Sequence, residues 1–153
     1  IGYNLSPLDI QAAMGRVQLK RTEEIKDKRY FNFAYLWHNL RKFPDLMMPK
    51  WVEGAKPSWF SFPLSHPNRG ALVEHLEKNG IETRSMFAGN ILRHPMCASL
   101  KEGIDYRSML TEESECNKIL TDSFWISTHP RNTLEDNEYI VKVFKDFFNA
   151  KTT

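Results

Sequence analysis

Ile10, Met14 and Val17 recur at intervals of four and three residues, the spacing of one helical face. Ala12, Ala13 and Gly15 lie between them and are small enough to admit a second backbone. Ser6-Pro7-Leu8-Asp9 precedes this run in a capping-box layout, with Ser6 as N-cap, Pro7 in the first helical position and Asp9 three residues after the cap. A packed or interfacial helix is therefore predicted to begin at Ser6. A second helical run is predicted over residues 22–42, with Phe33, Leu36, Trp37 and Leu40 on one side. Glu23, Lys26, Asp27 and Lys28 face water in this run, and Pro44 and Asp45 stop it.

Beyond Asp45 the period changes. Residues 46–51 and 58–65 are short aromatic and apolar runs bounded by Pro49, Pro57 and Pro67, which predicts strands. Asn68 can cap a helix carrying Leu72, Val73 and Leu76, closed by Asn79-Gly80. Residues 81–87 resume as strand. A long connection over residues 88–110 follows, and at this length it is either functional or covered by a partner surface. Thr111 opens a predicted helix to Leu120, and Phe124-Trp125-Ile126-Ser127 reads as strand. Thr133-Leu134-Glu135-Asp136 repeats the capping-box layout before a last helix carrying Ile140, Phe144, Phe147 and Phe148 on one face. Two helices followed by strands alternating with helices predict the α+β class, a small mostly antiparallel sheet with helices on one face. Residues 1–45 read as a helical segment and 46–153 as the small α+β domain.

Composition narrows the partners. The chain has 153 residues, 41% hydrophobic and 26% charged, a globular balance that suits one folded unit. Its 21 Lys+Arg oppose 19 Asp+Glu and the two signs are interspersed, which argues against nucleic acid. No stretch approaches the roughly 20 apolar residues of a membrane span, and no signal peptide is evident, so a cytoplasmic protein is expected. Cys97 and Cys116 form neither a CxxC pair nor a zinc pattern and read as reduced thiols. Because Ile1 is not an initiator Met and a helix signal follows at once, the chain is expected to be the carboxy-terminal part of a larger enzyme, cut just upstream of Gly2-Tyr3-Asn4.

No self-contained catalytic centre is signalled. There is no GxSxG elbow, no glycine-rich phosphate loop and no histidine pair at metal spacing, so neither a catalytic residue nor a metal site is assigned. His66, His94 and His129 each precede proline and mark loops. Three polar groups stand out. Tyr3-Asn4-Leu5-Ser6 lies at a helix amino terminus, which is either a plain cap or a place for an anion such as phosphate. Arg84, Asn90, Arg93 and His94 flank one loop, where two arginines form surface ion pairs or hold a diphosphate. Trp125, Ser127, Thr128 and His129 end a strand and read as a core aromatic followed by loop.

Gly2-Tyr3-Asn4-Leu5, Asp9-Ile10-Gln11-Ala12-Ala13-Met14-Gly15 and Gln18-Leu19 resemble the segment that opens the small domain of the DegT-type sugar aminotransferases, fold-type I enzymes using pyridoxal phosphate (PLP). Pro57-Ser58-Trp59-Phe60-Ser61-Phe62-Pro63, Asn79-Gly80-Ile81-Glu82-Thr83-Arg84, Phe87-Ala88-Gly89-Asn90, Arg93-His94-Pro95 and Phe124-Trp125-Ile126 are similar to the sugar-nucleotide 3-dehydratase branch. That branch removes the C3 hydroxyl of a 4-keto-6-deoxy hexose nucleotide on the route to dideoxy sugars of lipopolysaccharide; CDP-4-keto-6-deoxyglucose 3-dehydratases belong to it. The resemblance implies a homodimer with active sites between subunits, PLP or its amine form held mainly by a large domain, and a sugar-nucleotide substrate. It implies that Asn4 reaches the cofactor phosphate of the neighbouring subunit, while Arg84, Asn90 and Arg93 match motif positions of the branch and are assigned to substrate contact by their charge and location. In this branch a histidine replaces the lysine that anchors PLP, and both it and any iron–sulfur cluster, with its reductase partner, would lie upstream of Ile1. Ser127-Thr128-His129-Pro130-Arg131-Asn132 departs from the glycine-containing pattern usual in the branch, so no substrate role is assigned to His129.

Overall fold

The computed structural model describes residues 8–107 and 114–150. Helices α1 (Asp9–Lys20) and α2 (Thr22–Leu40) lead into strand β1 (Ser61–Ser65), helix α3 (Arg69–Lys78) and strand β2 (Thr83–Ser85). Two 3-10 turns, Ile91–Arg93 and Pro95–Cys97, precede helix α4 (Glu115–Asp122), strand β3 (Ser123–Ser127) and helix α5 (Leu134–Asn149). The strands form one antiparallel sheet in the order β1-β3-β2, so the last strand in the chain is the central one.

Alternation in the strands separates two faces. Phe62 and Leu64 of β1 and Phe124 and Ile126 of β3 point into the core, where Leu72 and Leu76 of α3 and Ile140, Val143 and Phe144 of α5 meet them. Helix α2 adds Phe33, Leu36 and Leu40, all fully buried. Phe33 is the aromatic hub, with ring centroids 4.5 Å from Trp59, 4.8 Å from Phe62 and 5.6 Å from Trp51. Each such buried side chain contributes about 1.5–3 kcal/mol relative to exposure. The expected α+β arrangement, with helices over one sheet face, is the one observed.

Element boundaries differ from expectation in several places, with β1 beginning at Ser61 and α4 spanning Glu115–Asp122. Residues 46–51 form no strand, only an isolated bridge in which Met47 and Ser65 exchange backbone hydrogen bonds of 2.9 and 3.0 Å. Leu46 is instead buried and Trp51 packs on Trp37 at 5.4 Å, while Pro49 lacks the N–H a ladder needs. The strand expected over residues 81–87 shrinks to Thr83–Ser85, because Ile81 N–H still donates to Leu76 O at the end of α3, 3.0 Å away. Gly80, at φ +74°, makes that reversal possible. The first helix runs from Asp9 with Leu8 as its N-cap, whose N–H donates to Gln11 Oε1 at 2.8 Å. Ser6, Pro7 and Thr111, named in the expected caps, lie outside the described residues. Thr133 behaves as read: its hydroxyl accepts from Asp136 N–H at 3.1 Å, and Asp136 Oδ2 accepts from Thr133 N–H at 2.8 Å.

Candidate functional site

The sheet face turned away from the helices carries a row formed across all three strands. Trp125 sits opposite Pro63 on one side and Arg84 on the other, and Phe60 packs edge-on against Trp125 at 5.4 Å. Arg84 is thus exposed beside a half-buried indole, and its guanidinium pairs with Glu82 at 2.5 Å. Both partners are solvent-exposed, so this pair contributes little to stability and is readily exchanged for another anion.

Downstream of β2 the chain turns sharply. Phe87 N–H donates to Ser85 O at 2.8 Å, and Phe87 adopts φ +41° with its ring exposed. A left-handed aromatic residue is strained backbone held by its surroundings. Gly89 follows at φ +59°, and a Cβ there would fall 2.7 Å from Leu120 Cα, so only glycine lets this turn lie against α4. Asn90 completes the attachment. It is buried, its Nδ2 donates to Asn117 Oδ1 at 2.7 Å, and its Oδ1 accepts from Leu92 N–H at 3.1 Å. Arg93 ends the first 3-10 turn, exposed, immediately before His94, whose ring nitrogen Nε2 lies 2.8 Å from Ala88 O.

The structure therefore gives the three expected substrate residues different settings. Arg84 and Arg93 present cationic side chains at the surface, whereas the Asn90 amide is occupied within the loop and sets where Arg93 stands. Asn4 lies outside the described residues. The loop reading of the X-Pro histidines is seen in their hydrogen bonds, since His66 Nδ1 accepts from Asn68 N–H at 3.0 Å and His129 Nδ1 accepts from Arg131 N–H at 3.1 Å. Phe87 has no sequence signal as a site residue beyond the Phe-Ala-Gly-Asn run in which it stands.

A PLP pocket needs a group to anchor the aldehyde and a charged partner for the pyridine nitrogen. Among the described residues, none of the buried polar side chains is an acid or a lysine. By themselves these residues do not fit a complete PLP pocket.

The model of the DegT/DnrJ/EryC1/StrS aminotransferase family matches residues 1–145. The chain belongs to this family. Among its relatives, the lipopolysaccharide biosynthesis protein RfbH of Salmonella typhimurium is 39% identical over 97% of the chain, covering 34% of that protein. The dTDP-4-dehydro-2,6-dideoxy-D-glucose 3-dehydratase of Saccharopolyspora spinosa is 33% identical over 96% of the chain, covering 32% of its own length. The chain thus spans about a third of the length of the curated relatives it matches. In fold it is similar to the Escherichia coli GDP-4-keto-6-deoxy-D-mannose-3-dehydratase with bound hydrated PLP, at TM-score 0.79 and 24% identity over 93% of this chain and 36% of that one. The sugar aminotransferase CalS13 of Micromonospora echinospora matches at TM-score 0.80 and 21% identity, over 95% of this chain and 37% of its own. At those identities the DegT-family structures establish the shared fold of the small sheet and its helices.

Proposed function

We propose that this chain forms the small-domain part of a PLP-dependent sugar-nucleotide 3-dehydratase that removes the C3 hydroxyl of a 4-keto-6-deoxy hexose nucleotide in dideoxy-sugar and lipopolysaccharide biosynthesis. The 33% identity to the dTDP-sugar 3-dehydratase and the 39% identity to the lipopolysaccharide protein, each over nearly the whole chain, are the observations that carry this reading. In it, residues 1–45 link to the remainder of the protein and 46–153 form the small domain, with α2 seated in that domain's core. PLP, or its amine form, is held mainly outside this chain, and Asn4 contributes to its phosphate across a homodimer interface. Arg84 and Arg93 face the anionic sugar nucleotide, and Asn90 positions the loop between them. Either glutamate or a reductase acting through an iron–sulfur cluster regenerates the cofactor.

The catalytic base is assigned to a histidine outside this chain, where a true aminotransferase of the family has lysine. The aminotransferase is the second reading, because the CalS13 fold is as similar as that of the dehydratase. The test is to sequence the gene through the anchoring position and to assay the complete protein with PLP and a 4-keto-6-deoxy sugar nucleotide. Histidine with loss of the C3 hydroxyl is expected. Lysine with amine transfer to the sugar would replace the dehydratase by the aminotransferase.

A further inference from the structure

The elbow between α1 and α2 faces the loop that follows β3, and a cavity of about 510 Å³ lies between them. Its wall carries four cationic side chains, Arg21, Lys28, Arg29 and Arg131, against one carboxylate, Glu24. Glu24 is already engaged, 2.7 Å from Lys28 Nζ and 3.9 Å from Arg21 Nε. The hydrogen bond and charge of Lys28, then the charge of Arg21, hold its carboxyl below the usual carboxylate range. Arg29 and Arg131 pair with no carboxylate among the described residues. Arg29 Nε is also shut off from solvent with no hydrogen-bond partner. A guanidinium N–H buried without an acceptor is costly, and an ion that supplies the acceptor removes that cost.

The opposite wall is held in place. His129 N–H donates to Ser127 Oγ at 3.1 Å, and Asn132 N–H donates to His129 O at 3.0 Å. The His129 carbonyl also accepts from Asn32 Nδ2 at 2.8 Å, and the fully buried Asn137 donates to Asn32 Oδ1 at 2.8 Å. Arg131 therefore rises from a loop fastened to α2 and α5, so little ordering is left for a ligand to impose.

We propose that this pocket binds a phosphorylated small molecule through its phosphate or diphosphate group, with Arg29 and Arg131 as the principal donors. Guanidinium groups present paired N–H donors that match phosphate oxygens, and the cavity lies within the size range of small-molecule sites. Four cations against one carboxylate leave an excess of three positive charges across the two walls, which suits a compact multivalent anion better than a single docked carboxylate. Arg84, Asn90 and Arg93 do not line this pocket, and its occupancy is independent of the dehydratase reading.

Isothermal titration calorimetry of the 153-residue chain with inorganic pyrophosphate, and separately with CDP, tests the site. Saturable one-to-one binding that weakens with added salt is expected. Affinity should fall about tenfold or more in Arg29→Gln and Arg131→Gln, from loss of charge-assisted donors, and stay unchanged in Lys142→Gln, which lies outside the pocket. Equal affinity for the two ligands assigns binding to the phosphates alone; tighter CDP binding adds a nucleoside contact. Arg131 is exposed, so its variant keeps the test valid even if Arg29→Gln unfolds. Failure of both ligands to bind saturably, full affinity in Arg131→Gln, or binding only of a glutamate-rich peptide would overturn the proposal, the last by making the occupant an acidic protein segment.

Discussion

Thr133 and Asp136 show how much one side chain can fix. Thr133 N–H, then the Thr133 hydroxyl, holds the Asp136 carboxyl below its ordinary value of 3.8. Because the folded-state value is the lower one, this stabilisation is present above about pH 4 and is lost as pH falls through the folded value. Asp136→Asn should therefore melt below the wild type near neutral pH, with the gap closing as pH falls below the ordinary carboxylate range. A gap constant across that range in thermal melts would separate the cap from the ionised carboxylate. Asn4 carries a prediction of a different kind. In the full-length protein Asn4→Ala should release PLP more readily, by about 1.5–3 kcal/mol for a charge-assisted hydrogen bond. Equilibrium dialysis showing unchanged PLP affinity would remove Asn4 from the cofactor site. At this scale the Thr133 cap was legible because its partners lie three positions apart, whereas Asn90 and Asn117 are 27 apart and no local pattern announces their pairing. Arg29 was equally silent, being one basic residue in a helical run of mixed charge.

Among the elements, periodicity served best where burial is one-sided. The predicted faces of α2 and α5 reach the core through Phe33, Leu36 and Leu40, and Ile140, Phe144 and Phe147, whereas Trp37 and Phe148 pack against it only partly buried. Residues 46–51 misled because an apolar run bounded by prolines describes an extended segment whether or not it finds a ladder. The turn before α4 is the element most sensitive to change. Gly89→Ala should destabilise by at least about 1–2 kcal/mol from its left-handed φ alone, with the Leu120 backbone contact adding to it. Denaturant titration would measure the loss, and limited proteolysis would place it near residues 86–97. Helix α1 presents the opposite case. Ile10, Met14 and Val17 are 67%, 67% and 56% exposed, and the helix has no buried residue. An uncovered apolar stripe favours association, so light scattering of the isolated chain should show mass rising with concentration. A strictly monomeric chain would mean that this face is tolerated in water.

For the whole molecule, the order β1-β3-β2 makes the sheet depend on its final strand. Among the described residues, neither β1 nor β2 has a strand partner other than β3, and β3 follows both of them in the chain. During synthesis β1 and β2 therefore have no strand to pair with until β3 has emerged. Long-range pairing of this kind slows folding and lengthens exposure to aggregation and to chaperones. A premature stop anywhere before Ser123 would remove the central strand and leave β1 and β2 without a ladder, which makes the segment from Ser123 onward the checkpoint for folding of this sheet.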